Sequence, residues 1–198
     1  MENKFGFVSL SGRTNVGKST LLNAFFQKKI AITSRKPQTT RNRILGILTE
    51  EKSQIVFLDT PGVHLGYKRQ LNKVMNKIAS HCYEEVDLVL FLIDRFKWQK
   101  EEENILKSLK NLNKPVVLVI NKIDRLRDKT KLLAFVKDIS EKFNFLSIVP
   151  ISALKKDNLM ELKSVILNNL EIGPYHFPED SLTCLLYTSP SPRDWTIS

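Results

Sequence analysis

The sequence predicts an α/β fold in which a six-stranded, mainly parallel sheet carries helices on both faces. Three observations support this prediction. Short apolar segments alternate along the chain with longer segments whose apolar residues have helical spacing. Several of the short segments are apolar at nearly every position, which is typical of parallel strands buried on both faces. The chain has 198 residues, 42% of them hydrophobic, so it can bury one sizeable core.

The strands and helices can be assigned in chain order. Strands are predicted at residues 5–11, 44–49, 54–59, 86–93, 115–120 and 145–151. Helices are predicted at residues 17–27, 71–83, 101–112, 129–143 and 158–170. The second and third strands are separated only by the polar turn 50–53, so we expect a hairpin there. Residues 30–43 contain Pro37 and have no helical period, so we expect a loop.

The overall composition narrows the class of partner and compartment. The net charge of +10 and the pI of 9.6 indicate a polyanionic partner, with RNA favoured over a membrane surface. Cys82 and Cys184 have neither metal-ligand spacing nor a disulfide pattern, which fits a reducing compartment. No segment is long enough to cross a bilayer and no signal peptide is visible, so we expect a cytoplasmic protein.

A phosphate-binding loop is predicted between the first strand and the first helix. The spacing G-x-x-x-x-G-K-[ST] occurs at Gly12, Gly17, Lys18 and Ser19. Its glycines let backbone N–H groups and the helix N-terminus face a β-phosphate, while Lys18 bridges the β- and γ-phosphates and Ser19 binds Mg²⁺. A chance match to a glycine-rich turn is the alternative, and the flanking strand and helix disfavour it. The predicted phosphate contacts are Gly12, Arg13, Thr14, Asn15, Val16, Gly17, Lys18, Ser19 and Thr20.

Two further segments offer groups to the metal and the γ-phosphate. The third predicted strand ends on Asp59, whose carboxylate can hold Mg²⁺ through water. Thr60, Pro61 and Gly62 follow, and the Gly62 N–H is then within reach of the γ-phosphate. Alone, these four residues would indicate an ordinary turn. In the predicted loop 30–43, Thr39 or Thr40 can supply a second hydroxyl to the metal.

The nucleotide base is predicted to be guanine. Asn121, Lys122 and Asp124 follow the fifth strand, and the Asp124 carboxylate can accept hydrogen bonds from the N1–H and exocyclic amine of guanine. Adenine lacks that donor pair and would leave the carboxylate unpaired, which argues against an ATP-dependent kinase. After the last strand, the segment Ser152, Ala153 and Leu154 can present a backbone N–H to the guanine O6.

In this order, the motifs GRTNVGKST, QTTRN, DTPG, NKID and ISAL resemble those of the Era family of bacterial GTPases, over residues 5–180. The resemblance implies a P-loop NTPase with a Ras-like GTPase fold that binds GTP or GDP with Mg²⁺. It also implies a switch in assembly of the small (30S) ribosomal subunit and 16S rRNA maturation, with small-subunit RNA bound mainly by a KH-type domain. We expect a monomer. Peripheral association with the inner face of the cell membrane stays open, without visible support in this sequence.

The sequence departs from the family pattern in three places. Thr14 stands where proline is usual, a change that leaves the backbone geometry available. No KH domain follows residue 180, and the G-x-x-G loop of such a domain is absent. In the tail 184–198, the first eleven residues (184–194) resemble a translated sequencing adapter more than a natural disordered tail. We therefore expect a GTPase domain at 1–172, a linker towards an absent KH domain at 173–183, and a non-native, disordered tail at 184–198.

The resemblance also shapes the expected catalysis. Ras-like enzymes orient the attacking water with a glutamine at the position of Val63, so intrinsic hydrolysis should be slow. The adjacent His64 can replace this glutamine in orienting water, although we favour a solvated loop histidine without a catalytic role. Asn15 resembles the asparagine with which related GTPases hold K⁺. The residues expected to act in hydrolysis are Asn15, Lys18, Thr39, Thr40, Asp59 and Gly62.

Two alternatives to this function are kept. The first is a nucleotide-gated module that binds RNA or a partner with negligible hydrolysis. The second is the GTPase domain of another ribosome-assembly or tRNA-modification protein. Basic residues in the segments expected to rearrange with the γ-phosphate suggest contact with RNA or with the missing domain: Arg35, Lys36, Arg41, Arg43, Lys68 and Arg69. Phe96 and Trp98 are expected to pack rather than to contact a partner.

Overall fold

A computed structural model describes residues 3–26, 43–59, 86–126, 128 and 130–177, with only the backbone at 43, 44 and 59. The strands are β1 (Lys4–Ser11), β2 (Arg43–Glu50), β3 (Ser53–Asp59), β4 (Leu88–Asp94), β5 (Val116–Asn121), β6 (Ser147–Pro150) and β7 (Glu171–Ile172). The α-helices are α1 (Lys18–Phe26), α2 (Lys100–Lys110), α3 (Thr130–Ser140) and α4 (Leu159–Asn168), and a 3₁₀ turn covers Ile123–Arg125. The predicted helix at 71–83 and loop at 30–43 lie almost wholly outside the described residues.

The described strands form one seven-stranded sheet in the order β2-β3-β1-β4-β5-β6, with β7 beside β1. Strands β3, β1, β4, β5 and β6 are parallel to one another, and β2 is antiparallel to β3 as the predicted hairpin requires. A parallel sheet places the carboxyl ends of its strands at one edge, where α/β proteins bind ligands. The α/β prediction with a mainly parallel sheet is therefore confirmed.

The core lies on both faces of the sheet, because alternate residues of each buried strand point to opposite sides. In β4, Leu88, Leu90 and Leu92 pack in one apolar cluster, and Val89, Phe91 and Ile93 pack in the other. The first cluster includes buried residues of α1 and α4. The second includes residues of α2 and α3, such as Leu109 and Ile139. Helices thus cover both faces, as predicted.

The sheet has one strand more than the six that the sequence predicts. β7 is two residues long and pairs antiparallel with Lys4 and Phe5 of β1. It uses the part of β1 that precedes Val8, where the pairing with β4 begins. A strand of two residues has no alternation to detect, which is why the sequence pattern does not reveal it.

Residues 173–177, where the predicted linker begins, contact the amino-terminal end of the sheet. The side-chain amide of Gln54 donates to Phe177 O at 2.9 Å and accepts from Phe177 N at 3.0 Å. The Tyr175 hydroxyl donates to Glu50 O at 2.9 Å. The His176 ring stacks on Phe5 with centroids 4.1 Å apart. These contacts attach the segment to the β2–β3 hairpin, at the end of the sheet away from the predicted ligand edge.

The aromatic residues after β4 are half-buried and pack against neighbouring rings, in agreement with the sequence-based expectation. Trp98 lies 6.0 Å from Phe91, centroid to centroid, and Phe96 lies 5.4 Å from Phe135.

Within the described part of the chain, no helix combines the length and apolarity that crossing a membrane requires.

Candidate functional site

The predicted motifs meet at the carboxyl edge of the sheet. β1 ends at Ser11, directly before the glycine loop, and β5 ends at Asn121. Asp94 ends β4 in register with Asn121. β6 ends at Pro150, two residues before Ser152. The loop, the base motif and the segment from Ser152 onwards therefore converge, although they are far apart in the sequence.

The glycine loop has a conformation that demands its glycines. Gly12 has φ +137° and Gly17 has φ +106°, values that L side chains rarely adopt. A Cβ on Gly12 would lie 2.4 Å from Leu92 O, and one on Gly17 would lie 2.2 Å from Asn121 Nδ2. Asn15 has φ 62°, in the left-handed region that asparagine tolerates better than most residues. The loop thus curls tightly against β4 and β5.

Lys18 lies across this loop at the start of α1. Its Nζ donates to Gly12 O and to Arg13 O, each at 2.7 Å. Ser19 and Thr20 follow in the first turn of the helix and are exposed. The free N–H groups and the positive end of a helix N-terminus attract an anion, and the Lys18 ammonium adds a full charge. The geometry suits a phosphate group.

Asn121 connects the loop to the segment that follows β6. It is 2% exposed, its Nδ2 donates to Val16 O at 2.8 Å, and its Oδ1 accepts from Ala153 N at 3.0 Å. Oδ1 also accepts from Lys122 N at 2.8 Å. One buried amide therefore holds three segments in a fixed relation.

Lys122 and Asp94 form a second brace. Lys122 has φ 65°, and its Nζ donates to Asn15 O at 2.7 Å and to Asp94 Oδ2 at 3.0 Å. Arg95 Nε donates to Asp94 Oδ1 at 2.9 Å. Burial acts to raise the pKa of Asp94, but the hydrogen bonds and charges of Arg95 and Lys122 outweigh it and lower this pKa. Asp94 is therefore a carboxylate at neutral pH and holds the Lys122 side chain along the site.

Asp124 is exposed, and a neighbouring hydroxyl fixes its orientation. Ser152 Oγ donates to Asp124 Oδ1 at 2.6 Å and accepts from Lys155 N at 3.1 Å. The Ala153 N–H donates to Asn121, so an approaching guanine O6 would share or replace that bond. The Leu154 side chain is 64% exposed beside them. The carboxylate is thus aimed by the protein and open to a ligand, as base recognition needs.

The remaining predicted residues are only partly described. Thr39, Thr40, Thr60, Pro61, Gly62, Val63 and His64 lie outside the described residues. The backbone of Asp59 ends β3 and pairs with Leu10, two residues before Gly12 of the glycine loop. A hydroxyl and a carboxylate are the oxygen ligands that Mg²⁺ prefers, so Ser19 and Asp59 fit such an ion by chemistry and by chain position. In the described residues, no three His, Cys, Asp or Glu residues cluster as a metal site.

Sequence patterns miss Asp94 and the contacts of Arg13. Asp94 closes an apolar strand and Arg13 belongs to the glycine loop, but their partners come from distant segments. Polar residues at the ends of neighbouring parallel strands are the available signal, and it would have identified Asp94. No local signal pairs Arg13 with α2.

Together, the glycine loop, its lysine, and the braced Asn-Lys-Asp motif on a mainly parallel sheet define a GTPase domain of the P-loop class. A sequence profile described as "50S ribosome-binding GTPase" matches residues 7–122. The chain belongs to this family. Its resemblance to the Era GTPases, inferred from the motifs, is also confirmed by its relatives.

The GTPase Era of Haemophilus influenzae strain PittGG is 49% identical over 178 residues, covering 90% of this chain and 59% of that protein. A crystal structure of Era with MgGDPNP and nucleotides 1506–1542 of 16S ribosomal RNA has a TM-score of 0.78 and 44% identity, covering 93% and 63%. A variant of Aquifex aeolicus Era bound to GDP and AlF₄⁻ has a TM-score of 0.76 and 44% identity, covering 92% and 62%. The chain thus spans about three-fifths of the relatives that it matches.

Proposed function

We propose that this chain binds and hydrolyses GTP as the switch domain of a protein that assembles the small ribosomal subunit and matures 16S rRNA. The observation that carries the proposal is the Asn121 amide, which joins the phosphate loop at Val16 to the base segment at Ala153. Because one side chain holds both parts, a ligand with a phosphate group and a base at a fixed separation fits the site best. Nucleotides have that shape.

Guanine is the base that the charged groups favour. Ser152 holds the Asp124 carboxylate with one oxygen engaged, and the second oxygen and the remaining lone pairs are available to N1–H and the exocyclic amine. Adenine has no such donor pair, so the second carboxylate oxygen would stay unpaired beside the base, and leaving an acceptor of a charged group unpaired costs more than the same loss for a neutral one. The Lys122 stem, held by Asp94 and Asn15 O, can cover the base.

Hydrolysis to GDP and phosphate depends on positioning and charge neutralisation more than on covalent chemistry. Lys18 supplies one positive charge at the phosphate loop, and the loop N–H groups supply hydrogen bonds. Bound Mg²⁺, held by Ser19 and Asp59 with Thr39 or Thr40, would neutralise the β- and γ-phosphate oxygens. Val63 cannot orient water by a hydrogen bond, so the unassisted rate is slow. We further propose that K⁺ held by Asn15 raises it.

The ribosomal role rests on the relatives and on charge. The similar Era structure contains a segment of 16S ribosomal RNA, and 16S RNA belongs to the small subunit. The net charge of +10 suits an RNA partner. We propose that the whole protein is a cytoplasmic monomer that contacts RNA mainly through a KH-type domain. Peripheral membrane association is a weaker proposal without support in the described residues.

A second candidate function is a nucleotide-gated binding module with negligible hydrolysis. Val63 favours it, because a glutamine is the usual water-orienting residue at that position. The set Lys18, Ser19, Thr39, Thr40 and Asp59 favours the enzyme, because it retains the groups expected to hold the metal and γ-phosphate. A GTPase domain from another ribosome-assembly or tRNA-modification protein would share the chemistry and differ in partner.

The test is GTP turnover by the purified chain in KCl and in NaCl, with ATP in parallel. The proposal predicts slow release of phosphate from GTP, a faster rate in KCl, and no turnover of ATP. Lys18→Ala should abolish the activity, which excludes a contaminating enzyme. Tight GTP binding without turnover in either salt would favour the binding module.

A further inference from the structure

Arg13, the second residue of the glycine loop, joins the loop to the first turn of α2. We propose that Arg13 and its buried partner Glu102 are positioning residues, which hold the loop in the shape that receives a β-phosphate. This inference rests on the proposed nucleotide function and adds to it a role for the Arg13 side chain and for Glu102, which lies on a different helix from the phosphate site.

The Arg13 guanidinium has three partners on or beside α2. Its Nη1 donates to Gln99 Oε1 at 2.8 Å and lies 3.6 Å from Glu101 Oε2. Its Nε lies against Glu102 Oε1 in a charge pair whose alignment is not that of a hydrogen bond. The Arg13 side chain is 18% exposed and the Glu102 side chain 1%, whereas Glu101 is 55% exposed. Glu102 is therefore the desolvated partner.

Glu102 is a fixed anchor rather than a loose surface charge. Its second oxygen, Oε2, accepts from the backbone N of Gln99, the N-cap of α2, at 2.9 Å. The helix start thus holds one carboxylate oxygen and Arg13 faces the other. A buried carboxylate is stable only while its partners remain, so removing the guanidinium would leave it uncompensated. The pair constrains where Arg13 can lie.

The anchored residue also holds the catalytic lysine. The backbone carbonyl of Arg13 accepts from Lys18 Nζ at 2.7 Å, and so does that of Gly12. The side chain of Arg13 is therefore tied to α2 while its main chain directs Lys18 across the loop. If the side chain were freed, these carbonyls could shift. Lys18 and the loop N–H groups would then no longer point together at the position of the β-phosphate.

Positioning and simple stabilisation predict different effects on binding. A loss of stability alone lowers the fraction of folded protein and weakens every nucleotide equally. A misplaced loop weakens contacts to the β-phosphate, which GDP has and GMP lacks. The ratio of the GMP dissociation constant to the GDP dissociation constant therefore isolates the loop, because both ligands share the base and the α-phosphate.

The experiment measures both dissociation constants by displacement of a fluorescent GDP from the full chain, for wild type, Arg13→Ala and Glu102→Gln. We expect the GMP-to-GDP ratio to fall about tenfold in each variant. The double variant should be no worse than either single one, because the two residues act as a pair. Glu101→Gln is the matched control, with the same chemistry one residue away, and its ratio should stay within about twofold of wild type.

Arg13→Lys keeps the charge but not the forked geometry, and it serves if Arg13→Ala does not fold. Its ratio should lie between those of wild type and Arg13→Ala. Ratios unchanged in Arg13→Lys and Glu102→Gln, in folded protein that binds GDP, would overturn the positioning role and leave the proposed function intact. Failure of the wild-type chain to bind GDP would instead overturn the proposed function on which this inference rests.

Discussion

Asn121 Nδ2 lies 2.8 Å from Val16 O, although 105 positions separate the two residues in the chain. This bond joins the end of β5 to the glycine loop and leaves Asn121 Oδ1 to accept from Ala153 N. Gly17 is adjacent, and a Cβ there would lie 2.2 Å from the same Nδ2. The close approach of the amide therefore explains both the asparagine and the glycine.

Asn121→Ala should disrupt the whole site. Three hydrogen bonds would be lost and two buried backbone groups left without a partner, which should destabilise the fold by about 3 kcal/mol. GDP affinity should fall at least about tenfold in the folded fraction. Asn169→Ala is the control, because its Nδ2 also donates to a carbonyl, Val165 O, but on α4. Urea unfolding and GDP titration measure both effects, and equal losses in the two variants would contradict the bracing role.

Ser152→Ala should weaken guanine binding without unfolding the protein. The Ser152 hydroxyl donates to Asp124 Oδ1 at 2.6 Å and so orients the carboxylate. Because a hydrogen bond to a charged group would be lost, GDP affinity should fall about tenfold. Ser164→Ala, which removes a hydroxyl bonded to Met160 O on α4, should leave affinity unchanged. Titration with GDP gives the answer. If both serine variants bind GDP like the wild type, Ser152 does not aim the carboxylate.

Asp94→Asn should reduce both nucleotide affinity and stability, with a defined pH dependence. The pKa of Asp94 is lowered from its ordinary value of 3.8, so its stabilising effect is present above that pH and is lost as pH falls through the lowered pKa. The stability difference between wild type and variant should therefore be largest at neutral pH and shrink below pH 3.8. At pH 7, GDP affinity should fall about tenfold, because Lys122 loses a charged partner.

Asp128→Asn is the control for this pH effect. Hydrogen bonds from Thr130 lower the pKa of Asp128 as well, but this exposed carboxylate lies at the start of α3. The difference in stability between the wild type and Asp128→Asn should also shrink as the pH falls below 3.8, whereas GDP affinity should stay unchanged. Thermal unfolding from pH 7 to pH 3, with GDP titration at pH 7, separates the two aspartates. If Asp94→Asn lowered the stability by the same amount at every pH, the result would contradict a brace that depends on the charge of Asp94.

Gln54→Leu should destabilise the fold while sparing the nucleotide site. The Gln54 side chain is fully buried and satisfies both the N–H and the C=O of Phe177, so its removal should cost about 2 to 4 kcal/mol. Lys163→Ala, which removes an exposed ion pair with Glu50 at the same end of the sheet, should cost under about 1 kcal/mol. Urea unfolding compares them. If both variants lost less than about 1 kcal/mol of stability, residues 173–177 would contribute little to the stability of the domain.

Asn15→Gly tests the proposed K⁺ site better than an alanine variant. Asn15 has φ 62°, where alanine would add backbone strain and glycine adds none. We expect the glycine variant to bind GDP about as well as the wild type and to lose the stimulation of GTP turnover by KCl over NaCl. Stimulation that persists in this variant would exclude Asn15 as a ligand of the ion.

The sequence predicts most of the fold because its strands are buried on both faces and its helices are amphipathic. β4 shows this directly, since all seven residues of Leu88–Asp94 are buried. The contacts of residues 173–177 could not be predicted, because they depend on Gln54 and Glu50 from a distant hairpin. The motifs predict the phosphate loop and the base segment. Asp94 is indicated only by its place at the end of an apolar strand, and the pairing of Glu102 with Arg13 emerges only when α2 is brought against the loop.

The most direct test of the central claim is the calorimetric titration of the purified chain with GDP and with ADP in the presence of Mg²⁺. Recognition by Asp124, braced through Ser152 and Asn121, predicts GDP binding at least about a hundredfold tighter than ADP binding. Equal affinities, or no binding of GDP by the folded chain, would contradict a guanine-nucleotide site at this edge of the sheet.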